Sequence, residues 1–139
     1  MVLLAGCATP VDLIKDTLSG YPEAEFKNST TDTVKSKLME GCSNKGILVQ
    51  DTQPNSIVCG KRMTGNEAFL ATLLIGNKYS TPPERKIRFI IYQKGQNVRV
   101  TAQQWIEVQM AFGQIRREEL NSNNQRNEIQ EFLTRLGGR

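Results

Sequence analysis

The feature that most restricts this chain is the stretch at 86–110, in which two alternating segments flank a polar turn. Ile87, Phe89 and Ile91 alternate with Arg88, Ile90 and Tyr92. After Lys94-Gly95-Gln96-Asn97 the alternation resumes in Val98, Val100 and Ala102. Successive side chains of a strand point to opposite faces, so a period of two buries one row and leaves the other to solvent. A glycine in the turn supplies the backbone freedom that a hairpin needs. The pattern therefore predicts a long antiparallel hairpin, 86–93 with 98–110, and the rest of the chain must pack against its apolar face. The phase slips at Gln103-Gln104-Trp105. Ile106 and Val108 keep to the even-numbered face while Trp105 takes the other, which sets Trp105 at a bulge or on the exposed face.

The remaining segments read as strands and helices around that hairpin. Residues 47–52 and 56–62 flank Gln53-Pro54-Asn55, so Ile47 and Val49 can oppose Ile57 and Cys59 across a second hairpin. Residues 69–75 form a continuous apolar run between Gly65-Asn66 and Gly76-Asn77, the length and flanks of a buried strand. Pro82-Pro83 marks a loop at 78–84. Residues 23–27 alternate as a short first strand. Ser29 and Asp32 have the spacing of a capping box, Thr31, Val34, Leu38 and Cys42 follow at helical intervals, and Gly46 is a suitable stop. Ser122 and Gln125 repeat the capping spacing before Ile129, Phe132, Leu133 and Leu136, which precede Gly137-Gly138.

Strands bracketed by helices predict an α+β fold. It is read as an antiparallel sheet of four to five strands, with an N-terminal-side helix and a C-terminal helix packed on one face. The element order over 29–137 resembles the helix-grip domains of periplasmic lipoproteins, such as the barrel-assembly accessory lipoprotein. No diagnostic motif accompanies that likeness, and fold alone does not carry function.

The N-terminus carries the most specific motif. Leu4-Ala5-Gly6-Cys7 resembles a bacterial lipobox, a short apolar stretch running through two small residues into a cysteine. Read without that resemblance, the same residues would end an apolar strand or helix with a core cysteine. The resemblance implies that Cys7 is lipidated and becomes the first residue of the mature protein. Two or three acyl chains would hold it to a membrane, each buried methylene contributing about 0.8 kcal/mol. Residues 1–6 are then a residual signal peptide, 7–28 a lipid-anchored tether that opens Ala8-Thr9-Pro10, and 29–139 one periplasmic domain. Val11, Leu13, Ile14 and Leu18 give the tether a weak amphipathic pattern. Family sorting rules add an outer-membrane destination, because Ala8 follows Cys7 where an Asp would favour retention at the inner membrane.

With Cys7 acylated, Cys42 and Cys59 are left as an even pair in an oxidising compartment. A disulfide is the expected state, the alternative being two independent buried thiols. Cys42 falls in the last turn of the first predicted helix and Cys59 on the second strand of the 47–62 hairpin. No Cys-x-x-Cys spacing suggests a redox role.

Composition narrows the chemistry. The 139 residues include no His, which excludes Ser-His-Asp hydrolysis and most zinc chemistry. No calcium-loop, dinucleotide-binding or phosphate-loop motif is present. No metal or cofactor is expected, and no enzymatic activity. A net charge of +4, spread over pairs such as Lys61-Arg62, Arg85-Lys86 and Arg116-Arg117, gives no reason to expect a nucleic-acid partner. Glu118-Glu119 beside Arg116-Arg117 reads as a solvated charge cluster, and Asn121-Ser122-Asn123-Asn124-Gln125 as the loop leading into the last helix.

Two functional expectations follow. The first is a non-catalytic, lipid-anchored accessory component of an envelope assembly, secretion or conjugation machine, facing the periplasm from the outer membrane. Its partners would be that membrane and envelope proteins, bound at an open strand edge or in the groove between sheet and C-terminal helix. The second is a periplasmic lipoprotein holding a small apolar ligand in that groove. The candidate groove residues are Ile87, Phe89, Ile91, Trp105, Phe132 and Leu136.

Overall fold

The computed structural model describes residues 10–65 and 82–139. The elements run β1 (Glu23–Phe26), α1 (Thr31–Asn44), β2 (Leu48–Gln53), β3 (Ser56–Arg62), β4 (Glu84–Lys94), β5 (Asn97–Gln109), a 3-10 turn (Ala111–Gly113), β6 (Ile115–Glu119) and α2 (Asn123–Arg135). Among the described residues the fold is α+β, a six-stranded antiparallel sheet with α1 and α2 packed against it. The apolar run at 69–75, most of the loop at 78–84, and Cys7 with its lipobox lie outside the described residues.

The long hairpin forms as its alternation requires. β4 and β5 stay in continuous register from Glu84↔Glu107 to Lys94↔Asn97, closed by a two-residue turn in which Gly95 takes φ +61°. No bulge interrupts the register at Trp105. The core face carries the odd positions of β4 and the even positions of β5, so Ile87, Phe89 and Ile91 share a face with Gln104, Ala102 and Val100. β3 extends the sheet beyond β4 and β2 lies outside β3, giving the order β1-β5-β4-β3-β2. β5 is long enough to hold two partners on its other side. β1 pairs with its first half, and β6 with its second half, Trp105↔Glu119 to Gln109↔Ile115.

Both helices cover the same face. Val34, Leu38 and Cys42 of α1 recur at intervals of four and meet Ile129, Phe132 and Leu133 of α2 in one core, above Phe89, Ile91, Val98 and Val100. Fully burying each of these side chains stabilises the fold by about 1.5–3 kcal/mol. α2 starts with the expected reciprocal capping box. Gln125 N–H donates to Ser122 Oγ at 3.3 Å and Ser122 N–H to Gln125 Oε1 at 2.9 Å. The cap of α1 differs from the expected Ser29/Asp32 pair. Thr30 is the cap, accepting from Thr33 N–H at 3.2 Å, because the Ser29 hydroxyl is already used in the preceding turn, donating to the Lys27 carbonyl at 2.9 Å.

The sheet has six strands where four to five were expected. The unexpected one is β6, exposed along its whole length, so it carries no apolar alternation to reveal it. The boundary of the folded unit also moves. β1 lies inside the stretch read as tether, and its outer edge is occupied by the chain's last residue, with Glu25 N–H donating to the Arg139 carbonyl at 2.8 Å and Arg139 N–H to Glu25 at 3.0 Å.

Residues 11–20 are likewise held to the domain. Asn123 Nδ2 donates to the Val11 carbonyl at 2.7 Å, Asn127 Nδ2 to the Asp12 carbonyl at 2.8 Å, and Ile14 N–H to Asn127 Oδ1 at 2.8 Å. The polar run at the start of α2 thus does more than open a helix. Its amides satisfy the backbone of an N-terminal segment that has no strand partner of its own.

Candidate functional site

A cavity of about 380 Å³ opens between α2 and the sheet, at the end where β3 finishes and β4 begins. Its apolar floor is built by Ile87 and Phe89 of β4 and by Ile129 and Phe132 of α2. The period of two in β4 and the i, i+3 spacing in α2 aim these four side chains into one space. The Phe89 and Phe132 rings lie 5.7 Å apart between centroids. Gly41 of α1 makes room behind them, since a Cβ there would stand 2.8 Å from the Phe132 ring. Cys42, next in the chain, lines the cavity and is joined to Cys59 of β3 with the Cα atoms 6.5 Å apart. That bond fixes the last turn of α1 to the sheet beneath the cavity.

The mouth has a different chemistry. Among the described residues Lys45, Lys61, Arg62 and Arg85 line it, with Glu128 as the one carboxylate. Arg85 is held from two sides. It ion-pairs Glu128 at 3.1 Å and donates to Gln104 Oε1 at 2.7 Å, while Gln104 Nε2 donates to the Gln125 carbonyl at 2.9 Å. The buried Gln104 amide is therefore satisfied at both ends, as a polar group on a core face must be. Lys45 Nζ lies 5.5 Å from the Phe132 ring centroid, a cation–π contact at the rim.

The groove residues expected from the sequence divide into three groups. Ile87 and Phe132 border the cavity with small exposed fractions, and Phe89 lies behind them with no exposed surface. Ile91 is sealed in the core, and Leu136 packs against that core with its side chain beside Gly41. Trp105 is not brought to the groove at all. It sits on the opposite face of the sheet, because odd positions of β5 point away from the helices. The four rim cations and Ile129 were not anticipated. Only the spacing of Ile129 to Phe132 carried a signal, since the cations come from three separate segments.

Trp105 belongs to a second cluster on the face of the sheet away from α1 and α2. The guanidinium groups of Arg88 and Arg117 each lie 5.3 Å from its ring. Glu107 gathers the charges around it. It meets Lys86 at 2.6 Å, accepts from Arg117 Nε at 2.8 Å and accepts from Trp105 Nε1 at 3.4 Å. Burial alone would raise the Glu107 carboxyl. The hydrogen bonds from Lys86 and Arg117 outweigh that effect and hold it below the usual glutamate range. The Arg116-Arg117 and Glu118-Glu119 cluster is thus partly structural, with Arg117 serving both Trp105 and Glu107.

Among the described residues no group of three or more Cys, Asp or Glu side chains could hold a metal ion, and no helix is long and apolar enough to cross a membrane. Comparison with protein families, with curated proteins and with solved structures gives no significant match.

Proposed function

We propose that this chain is a lipid-anchored envelope protein, a non-catalytic accessory component that holds part of an assembly, secretion or conjugation machine at the periplasmic face of the outer membrane. The observation that carries the reading is the division of its three cysteines. Cys7 ends the lipobox-like Leu4-Ala5-Gly6-Cys7, while Cys42 and Cys59 are paired with each other, as an oxidising compartment would leave them. Partner binding has a surface to use. The outer edge of β2 pairs with no described strand, and open edges accept added strands. The test is the intact mass of protein taken from membranes after expression with a complete signal peptide. Acyl mass that vanishes with Cys7→Ser, and envelope proteins recovered by in-cell crosslinking, are the expected results. Absence of acyl mass with all three thiols open to alkylation would overturn the reading.

A second reading, a small apolar ligand held between sheet and C-terminal helix, is favoured by one observation. Ile87 and Phe132 border an open cavity, and its volume lies within the range of about 300–1,000 Å³ usual for ligand sites.

A further inference from the structure

The cavity is apolar at its floor and positive at its mouth, and these two properties together restrict what can occupy it. Ile87, Phe89, Ile129 and Phe132 offer no hydrogen-bonding side chain to a ligand inside. At the mouth, Glu128 is engaged by Arg85, and neither Lys45 nor Lys61 takes part in an ion pair among the described residues, whereas Arg62 of β3, opposite Glu84, turns to the other face and lines a second cavity with Glu84 and Glu107. Two like charges gathered at one opening repel one another, and an anion seated between them relieves that repulsion. A neutral apolar molecule would fill the floor and leave the mouth as it is. A small hydrophilic anion would meet the mouth and leave the floor open to water.

From this placement we propose that the cavity binds a single-chain anionic amphiphile of the fatty-acid type. Its acyl chain lies along Ile87 and Phe132, and its carboxylate rests between Lys45 and Lys61. The volume, near the low end for small-molecule sites, suits one chain and not two. The inference rests on the second reading above, that this cavity takes an apolar ligand, and adds the sign of the headgroup.

The experiment titrates the full chain with dodecanoate and, separately, with dodecanol, both below their aggregation limits. Methyl resonances of Ile87 and Ile129 report whether binding occurs in the cavity. Dodecanoate should shift both resonances and bind about tenfold more tightly than dodecanol, a difference that shrinks in high salt. The variant Lys61→Gln, whose exposed side chain makes no core contact, should weaken dodecanoate about tenfold and leave dodecanol unchanged. Equal affinities for the two probes, with the variant without effect, would overturn the headgroup assignment while sparing the apolar-ligand reading. No shift at Ile87 and Ile129 with either probe would overturn both.

Discussion

Gln130 on α2 makes both of its amide hydrogen bonds to the backbone of Glu23 on β1, accepting from the N–H at 3.3 Å and donating to the carbonyl at 2.8 Å. The side chain stands in for a neighbouring strand at a position that has none, and it is itself buried. Gln130→Leu keeps most of the volume and leaves the Glu23 N–H without this partner, while the carbonyl keeps Lys15 Nζ at 3.1 Å. We expect a loss of about 1–3 kcal/mol, read as a lower urea midpoint with an unchanged slope. An unchanged midpoint would mean that water replaces the amide at no cost.

The Cys42–Cys59 bond closes a sequence separation of 17 residues between α1 and β3. Cross-links of this span stabilise by about 3 kcal/mol, chiefly by restricting the unfolded chain. The double variant Cys42→Ser/Cys59→Ser should therefore unfold at a clearly lower urea concentration. Wild-type protein under full reduction should move towards the same midpoint.

Glu107 makes stability depend on pH with a definite sign. Its carboxyl is held below the ordinary value in the fold, so its contribution is complete above the unfolded value and disappears as pH falls through the folded one. With an ordinary glutamate near about 4.3, the decline begins around that pH and continues below it. Because Arg117 is largely exposed, the effect amounts to under about 1 kcal/mol. Urea midpoints from neutral to acid pH should fall less steeply for Glu107→Gln than for wild type.

Phe112 lies at φ +66° in the turn between β5 and β6, with its ring fully exposed. A bulky side chain in left-handed backbone costs about 1–2 kcal/mol and gains no burial in return. Phe112→Gly should raise stability by roughly 0.5 kcal/mol, the relief being partly offset by a freer unfolded chain. A thermal melt that falls instead would show that the ring has a packing role.

The parts of the fold that were legible in the sequence are those in which one row of side chains is buried. The β4–β5 hairpin, the α1 stripe of Val34, Leu38 and Cys42, and the Ser122/Gln125 cap all follow from local pattern. β6 was not legible, because both its faces meet solvent and its register comes from β5. Trp105 illustrates a subtler limit. The alternation correctly put it on the face opposite Val100 and Ala102, yet grouping it with Ile87 and Phe89 set that phase aside. The cationic mouth could not be read at all, since Lys45, Lys61 and Arg85 meet only when the ends of α1, β3 and β4 converge. The docking of residues 11–14 on α2 was hidden for a similar reason. Asparagine amides satisfy that segment's backbone, and asparagine in a polar run gives no hint of what it will bind.

That docked segment sets how far the domain can stand from its proposed anchor. Val11 is already fastened to Asn123, so only residues 7–10 span the gap between an acylated Cys7 and the body of the protein. Fully extended, four residues reach roughly 14 Å. If Cys7 carries the proposed anchor, a body on so short a leash would work close to the bilayer surface, and a machine component that it recruited would be brought down to the membrane. Cutting the Asn123 and Asn127 contacts would lengthen the leash by several residues without removing the anchor. On the proposed anchoring, the height at which the domain would ride is set by two amide side chains on α2.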